Sequence, residues 1–394
     1  MPASRLAALL RHPRVSRLRD AVLPPAYPGV RVTPRRLVNL WIVRLQEALG
    51  HTRLIGKPIK LTVEATNICN LRCPACFTGA QLNGRPKTHM SLELYDRLLD
   101  ELGDYLFTLE FFNWGEPLLA KHIVDMVERA TARGISTTIS TNFSFPFDAE
   151  RAERLVRSGL QVLGVSIDGA RQETYEQYRR KGDLATVLRN VALVRAARER
   201  LGATTPRLVW EYHVFPHNLD DVAAAQAMAA ELGMDIAVSK GWTVGEEWDP
   251  SSPHRFFWYP TPPSRCRFLW QDAVVHNEGG VAPCCGTYFP NDDAGHCDGA
   301  GRGRRAALRR EVWNDEKLRQ ARAMFRHRQA PDLPRDHVCY DCPVTVIWER
   351  WQVHQASGST APFDGGYGTN DCFNYFWNRR PPAAAAPAAA AAAR

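Results

Sequence analysis

The sequence has no apolar run approaching the ~20 residues that a helix needs to cross a bilayer, so no spanning helix is expected. Its start, Met1 to Leu10, is too short in apolar content and lacks the small-residue cleavage site of a secretory signal. Acidic residues are scarce in residues 1–60: Asp20 and Glu47 stand against twelve lysines and arginines. The whole chain's formal net charge is only +8, so the rest is slightly acidic and the basicity belongs to the N-terminal arm. No recognition motif accompanies that charge, and nucleic acid is not an expected partner. Cysteine is absent between Cys76 and Cys266, and ten cysteines in 394 residues do not make a small disulfide framework. They cluster instead as C-x3-C-x2-C and C-x2-C, a pattern that suggests metal thiolates in a reducing cytoplasm. The length allows one large domain and a smaller one, and a hydrophobic content of 45% is ordinary for a globular protein.

The stretch Cys69-Asn-Leu-Arg-Cys73-Pro-Ala-Cys76 places three cysteines within eight residues. Their thiolates can converge on one side of a short loop. A 4Fe–4S cube normally takes four thiolates. Three local ligands leave one iron open, and an open position marks a catalytic rather than a structural metal site. On spacing alone, a structural zinc loop or a thiol pair remains an alternative. The run, led in by Asn67-Ile68, resembles the radical S-adenosylmethionine (SAM) enzymes. The resemblance implies that Cys69, Cys73 and Cys76 hold a 4Fe–4S cluster. SAM would chelate the open iron, and an electron would split it to a 5′-deoxyadenosyl radical. The position before the third cysteine is often aromatic in that family; here it is Ala75, with Phe77 just after.

Helical spacing of Leu37, Leu40, Trp41, Leu45 and Leu49 predicts a helix from Pro34 to Leu49. Leu6, Leu9, Leu10, Val15 and Leu18 predict another over 1–23, broken by Pro24, Pro25 and Pro28. Such basic helices either pack outside the main domain with a solvated basic face or lie on an anionic membrane surface. From residue 58, strands and helices alternate. Apolar β-rich runs occur at Ile59–Ala65, Leu106–Phe112, Ile135–Thr141, Val162–Ile167, Leu208–Phe215 and Ile236–Ser239. Helical stretches lie near Leu92–Leu102, Lys121–Arg133, Ala149–Ser158, Leu184–Leu201 and Asp220–Leu232, followed by Gly103, Gly134, Gly159, Gly202 and Gly233 as left-handed caps. Alternation of this kind implies an α/β fold with a parallel sheet and right-handed crossovers. The count of six strands fits the partial (β/α)6 TIM-like barrel of the family. The expected domains are a basic arm (1–57), the barrel (58–240), a small C-terminal auxiliary iron–sulfur domain (241–380) and a disordered Ala/Pro tail (381–394).

Chemistry in such barrels sits at the C-terminal strand ends. After the second strand, Trp114-Gly115-Glu116-Pro117 resembles the family's GGEP element, which binds the SAM amino group; Trp114 departs from it. After the third and fourth strands come Ser140-Thr141-Asn142 and Ser166-Ile167-Asp168-Gly169. The resemblance assigns Ser140, Asn142, Ser166 and Asp168 to the ribose and methionine carboxylate. Arg179, in a run also common in the family, either meets that carboxylate or caps a helix.

The later cysteines resemble the auxiliary-cluster domains called SPASM and, in shortened form, twitch. Cys266, Cys284, Cys339 and Cys342 would hold one auxiliary 4Fe–4S cluster, with Cys284 and its neighbour Cys285 both open as the second ligand. Cys297 and Cys372 leave a second cluster open, and zinc on four thiolates is the bland alternative. Trp242, Trp248, Phe256, Phe257, Trp258 and Tyr259 line a cleft or form a connector. The resemblance, covering about residues 58–345, implies a radical SAM oxidoreductase in the cytoplasm or peripheral at the membrane's inner face. Its expected partners are a small-molecule substrate (a sugar, polyol or lipid-linked intermediate) and an electron donor such as flavodoxin or ferredoxin. A peptide maturase and a non-catalytic metal scaffold are the alternatives. His213, His217, Asp272 and His276 are acid/base candidates by position only.

Overall fold

The computed structural model describes residues 27–82, 84–241, 265–297, 308, 311–327, 331–345 and 357. The expected helix over 1–23, the 242–264 part of the aromatic segment, Cys372 and the Ala/Pro tail lie outside the described residues.

The first described helix, α1 (Pro34–Leu49), starts where predicted: Thr33 caps it by accepting from Arg36 N, and Gly50 ends it at φ 67°. Strands and helices then alternate as β1 (Lys60–Val63), α2 (Leu92–Leu102), β2 (Thr108–Phe111), α3 (Ile123–Ala132), β3 (Ser136–Thr141), α4 (Ala149–Arg157) and β4 (Val162–Ser166). There follow α5 (Gln172–Tyr178), α6 (Leu184–Leu201), β5 (Arg207–Val214), α7 (Val222–Glu231) and β6 (Asp235–Lys240). Ser91, Asp148 and Asp183 cap α2, α4 and α6 through their side chains, which fixes the starts of those helices. Gly134, Gly159, Gly202 and Gly233 take positive φ as expected. Gly103 does not: its φ is −54°, and it stays right-handed because the chain continues the turn toward Leu106. The sequence reading also assigned no helix at α5.

The six strands are parallel and neighbour one another in chain order. The C-terminal region then adds to the same sheet. After a short α8 (Arg267–Trp270), β7 (Asp272–Val275) pairs in parallel with β1, Lys60 opposite Asp272. The strands β8 (Gly280–Ala282) and β9 (Gly295–His296) extend it antiparallel, and α9 (Glu316–His327) follows. The order is β6-β5-β4-β3-β2-β1-β7-β8-β9. Among the described residues, no helix is long and apolar enough to cross a membrane.

The two faces of this sheet differ. Leu61, Val63, Leu109, Phe111, Ile139, Leu163, Val165, Trp210 and Tyr212 share a buried core with the helix residues Leu94, Met126, Leu155 and Val191. Registered pairing puts the alternate residues on the other face. Those are Lys60, Thr62, Thr108, Glu110, Ser136, Thr138, Ser140, Gly164, Ser166, Glu211 and Asp272, with Val162, Val209 and Val274 among them, so the face is more polar than the first but mixed. An ordinary barrel interior is filled by branched apolar side chains. This one carries polar side chains that partly satisfy one another, as Lys60 does with Glu110 at 2.6 Å.

Candidate functional site

The cysteine loop follows β1 and is stitched to the ends of its neighbours. Gly115, just after β2, passes so close that a Cβ there would lie 1.8 Å from the Thr66 carbonyl oxygen. The next backbone N–H, of Glu116, donates to Ile68 O at 2.9 Å. On the far side, Asn70 Nδ2 donates to Ser144 O at 2.6 Å and Arg72 N to Arg180 O at 3.0 Å. Strand order therefore dictates the loop's shape.

Glu116 is buried, and its carboxylate accepts from Thr141 Oγ1 (2.7 Å), Asn142 N (2.7 Å) and Leu118 N (3.0 Å). Burial nevertheless pushes its carboxyl up to about 7. The folded chain thus holds a proton here that the unfolded chain releases above about 4.5. This group's contribution to stability falls as pH rises from about 4.5 to about 7 and is level above that. We expect Glu116→Gln to flatten that part of the apo-protein's stability–pH profile; an unchanged slope in urea titrations would contradict the assignment.

Asn142 sits against the cysteine loop. Its Oδ1 accepts from Ser144 N at 2.9 Å, while Nδ2 donates to Asn70 Oδ1 at 3.1 Å and points at Cys69 Sγ at 3.6 Å. Ser140 and Ser166 both donate to one acceptor, Glu211 Oε2, at 2.6 and 3.1 Å. Sequence reasoning missed Glu211. The signal was Gly164 in mid-strand: a Cβ there would sit 2.2 Å from Glu211 Oε1. Asp168 accepts from Arg179 Nε (2.6 Å), His213 N (2.7 Å) and His213 Nδ1 (3.1 Å). Burial would raise its carboxyl, but Arg179 and then His213 bring it down to about 2. Arg179 does cap α5 with its backbone, donating to Tyr175 O, and its guanidinium also neighbours Cys73.

The three loop thiols neighbour one another; Cys73 is buried and Cys69 and Cys76 are partly so. Burial pushes Cys69 and Cys73 up to about 12 and Cys76 up to about 11. Thiolates here need a strongly positive partner, which an iron–sulfur cube supplies by displacing the protons. No three His, Cys, Asp or Glu side chains among the described residues close on a single metal ion. A cube needs no such convergence, because each thiolate binds a different iron.

In the C-terminal region, burial raises the Cys284 thiol well above its ordinary value, and its neighbours include Cys285, Cys339 and Cys266. Cys285, pushed up to about 12 by burial, faces Lys60, Asp272, Glu110 and Arg267 instead. The adjacent thiols have different surroundings. Cys339 and Cys342 are buried on one turn, and Cys297 is buried after β9. Both departures from the family pattern meet at this junction. Phe77 stacks on Tyr288 (centroids 5.0 Å apart) and meets Trp114 edge-on at 4.7 Å. Trp114 Nε1 donates to Thr287 O at 2.8 Å, and Thr287 Oγ1 to Cys284 O at 2.9 Å. Each replacement aromatic ties the cysteine loop to the auxiliary segment.

Of the acid/base candidates, His276 is bonded through Nδ1 to Glu64 Oε2, both wholly buried just past the C-terminal ends of β7 and β1. His276 Nε2 and Glu64 Oε1 are buried with no partner in the protein. His213 is committed to Asp168, and His217 stacks on Phe215 with its imidazole lowered by burial. Asp272 opens β7, so it lies at the strand ends away from the cysteine loop.

Two family descriptions match the chain: the radical SAM superfamily over residues 63–229 and SPASM, an iron–sulfur cluster-binding domain, over 266–343. The chain is 33% identical to Fe-coproporphyrin III synthase of Methanosarcina barkeri, over 32% of this chain and 31% of that one. It is 26% identical to mycofactocin maturase of Mycobacterium ulcerans, over 55% and 58%. The chain thus spans between about three-tenths and three-fifths of these relatives' length. Streptococcus suis SuiB, solved bound to S-adenosylmethionine, shares the fold with a TM-score of 0.54 at 12% identity, covering 94% of this chain and 87% of that one. The chain belongs to the radical SAM superfamily, with a 4Fe–4S cluster and S-adenosylmethionine as its cofactors and a SPASM domain for auxiliary iron–sulfur.

Proposed function

We propose that the chain is a radical SAM oxidoreductase acting on a polar, hydroxyl-rich small molecule held against the polar sheet face. The observation that carries this reading is the polar part of that face, with Thr62, Glu110 and Thr138 in register across β1, β2 and β3. Cys69, Cys73 and Cys76 would hold the catalytic cluster, which with SAM supplies hydrogen-atom abstraction from an unactivated carbon. Gly115, Glu116 and Pro117 would receive the SAM amino group, a carboxylate being the natural acceptor for an ammonium. Ser140, Ser166 and Glu211 form a hydroxyl–carboxylate group suited to ribose hydroxyls. Arg179, oriented by Asp168, would face the methionine carboxylate. Oxidation of an alcohol carbon removes a proton along with a hydrogen atom and an electron. Glu64 and His276 are the buried pair able to take that proton. Cys266, Cys284, Cys339 and Cys342 would hold an auxiliary cluster, which would supply an acceptor for that electron. A flavodoxin or ferredoxin would supply the reducing electron in the cytoplasm.

Peptide substrates are the second reading, favoured by the mycofactocin maturase match and by a PqqA peptide cyclase of Granulibacter bethesdensis at 29% identity over 45% of this chain. Incubation with deuterated polyols or with peptides, followed by mass spectrometry of 5′-deoxyadenosine, separates the two. Deuterium arriving only from peptides would overturn our reading. The ligand assignment has its own test. Cys284→Ala is expected to lower reconstituted iron by about four per chain and Cys285→Ala to leave it unchanged; the reverse result would exchange the two.

A further inference from the structure

The chain leaving β3 is bent into a turn that aims one side-chain amide at the cysteine loop. Phe143, a bulky residue, takes φ 51° there, in the left-handed region. The buried Asn190 side chain holds that strained backbone by donating to Phe143 O at 2.9 Å and Phe145 O at 2.8 Å. Phe143 N donates to Thr141 Oγ1 at 3.0 Å, and Asn142 N to Glu116 Oε2 at 2.7 Å. The orientation of the Asn142 amide follows from its neighbours. Ser144 N can only donate, so the atom it meets at 2.9 Å is Asn142 Oδ1. Ser144 O can only accept, so the atom that meets it at 2.6 Å is Asn70 Nδ2, which turns Asn70 Oδ1 toward Asn142. Two backbone groups of one residue thus orient both amides. Asn142 Nδ2 carries two N–H groups and has two acceptors, Asn70 Oδ1 at 3.1 Å and Cys69 Sγ at 3.6 Å. Its donors are spent within the protein.

The other loop sulfurs are served by donors too. Leu71 N–H is a second donor at Cys69, the Arg179 guanidinium donates to Cys73, and the N–H groups of Gly79 and Thr78 donate to Cys76. Among these donors the Asn142 amide is a neutral side chain from outside the loop, so it can be exchanged without altering the loop's own backbone. Reduction adds negative charge to a thiolate-bound iron–sulfur cluster. A donor to sulfur therefore favours the reduced state and raises the potential. We infer that Asn142, by donating to the Cys69 sulfur, raises the reduction potential of the catalytic cluster, and that it is not a contact to the ribose or carboxylate of SAM. The inference rests on Cys69 being a ligand of that cluster.

The test is anaerobic reconstitution of the full chain and of Asn142→Ala, followed by a redox titration read by electron paramagnetic resonance. The catalytic cluster is the one whose signal changes on adding SAM. At a fixed solution potential its ratio of reduced to oxidised forms should fall about threefold or more in the variant, a negative shift of about 30 mV. Iron content and SAM affinity, the latter by equilibrium dialysis against the oxidised protein, should stay at wild-type values. Asn142→Asp keeps the acceptor for Ser144 N, removes the donor and adds negative charge, so it should shift the potential the same way and further. An unchanged potential in both variants would overturn the inference. So would weaker SAM binding at an unchanged potential, which would make Asn142 a SAM contact, or loss of the catalytic cluster from both variants, which would make it structural. No SAM-sensitive signal in the wild type would overturn the Cys69 assignment itself and the inference with it.

Discussion

Gly115→Ala is expected to cost about 3 kcal/mol or more of stability, at the upper end for inserting one carbon into a packed site. The added Cβ would meet backbone on every side: Thr66 O at 1.8 Å, Thr66 C at 2.6 Å and Asn67 Cα at 2.8 Å. No rotamer change relieves a clash with backbone. Either the end of β2 or the entrance to the cysteine loop must move by more than an ångström, and the loop carries Cys69 only two residues beyond Asn67. A displacement of that size typically costs about a hundredfold in rate. Urea unfolding of the apo-protein measures the first effect and 5′-deoxyadenosine formation the second. A variant with wild-type values of both would mean that the loop does not depend on this contact.

Asp168→Ala is expected to destabilise the chain by about 3–5 kcal/mol, because it leaves the largely buried Arg179 guanidinium without its carboxylate. Asp168→Asn, which keeps the shape and an acceptor for His213 N, should cost less. The pair also sets a pH signature. Asp168 is lowered from 3.8 to about 2, so its contribution is complete above about pH 4 and is lost as pH falls toward 2. Wild type and Asp168→Asn should therefore converge in stability at the acid end of a urea–pH series. A constant difference across that range would show that Asp168 is not held by Arg179.

The alternating elements were legible because each carries local signals. Ser91, Asp148 and Asp183 cap helices, and α2 and α6 have their predicted bounds. The cysteine loop could be placed because C-x3-C-x2-C follows a strand directly. What escaped was information held between strands. The runs at β1, β2 and β5 read as apolar β segments, yet Lys60, Glu110 and Glu211 alternate within them, and only the register puts these residues on one face. Asn142 toward Cys69 and Ser140 with Ser166 on Glu211 are contacts between strand ends that no spacing encodes. The choice between Cys284 and Cys285 depends on which side of the chain each thiol emerges, and β7 joining β1 depends on a pairing across more than 200 residues. In α1 the periodicity gave the right helix, but its burial was decided by backbone carbonyls that only the fold brings to Arg36.

The central claim, a catalytic cluster on the β1 loop and a separate auxiliary one, is tested most directly by anaerobic reconstitution of wild type and Cys73→Ala. Iron is counted per chain, and 5′-deoxyadenosine is followed after dithionite and SAM. The account predicts about eight irons and nucleoside formation in wild type, against about four irons and no nucleoside in Cys73→Ala. Nucleoside from Cys73→Ala at the wild-type rate, or zinc in place of iron in the wild type, would contradict it.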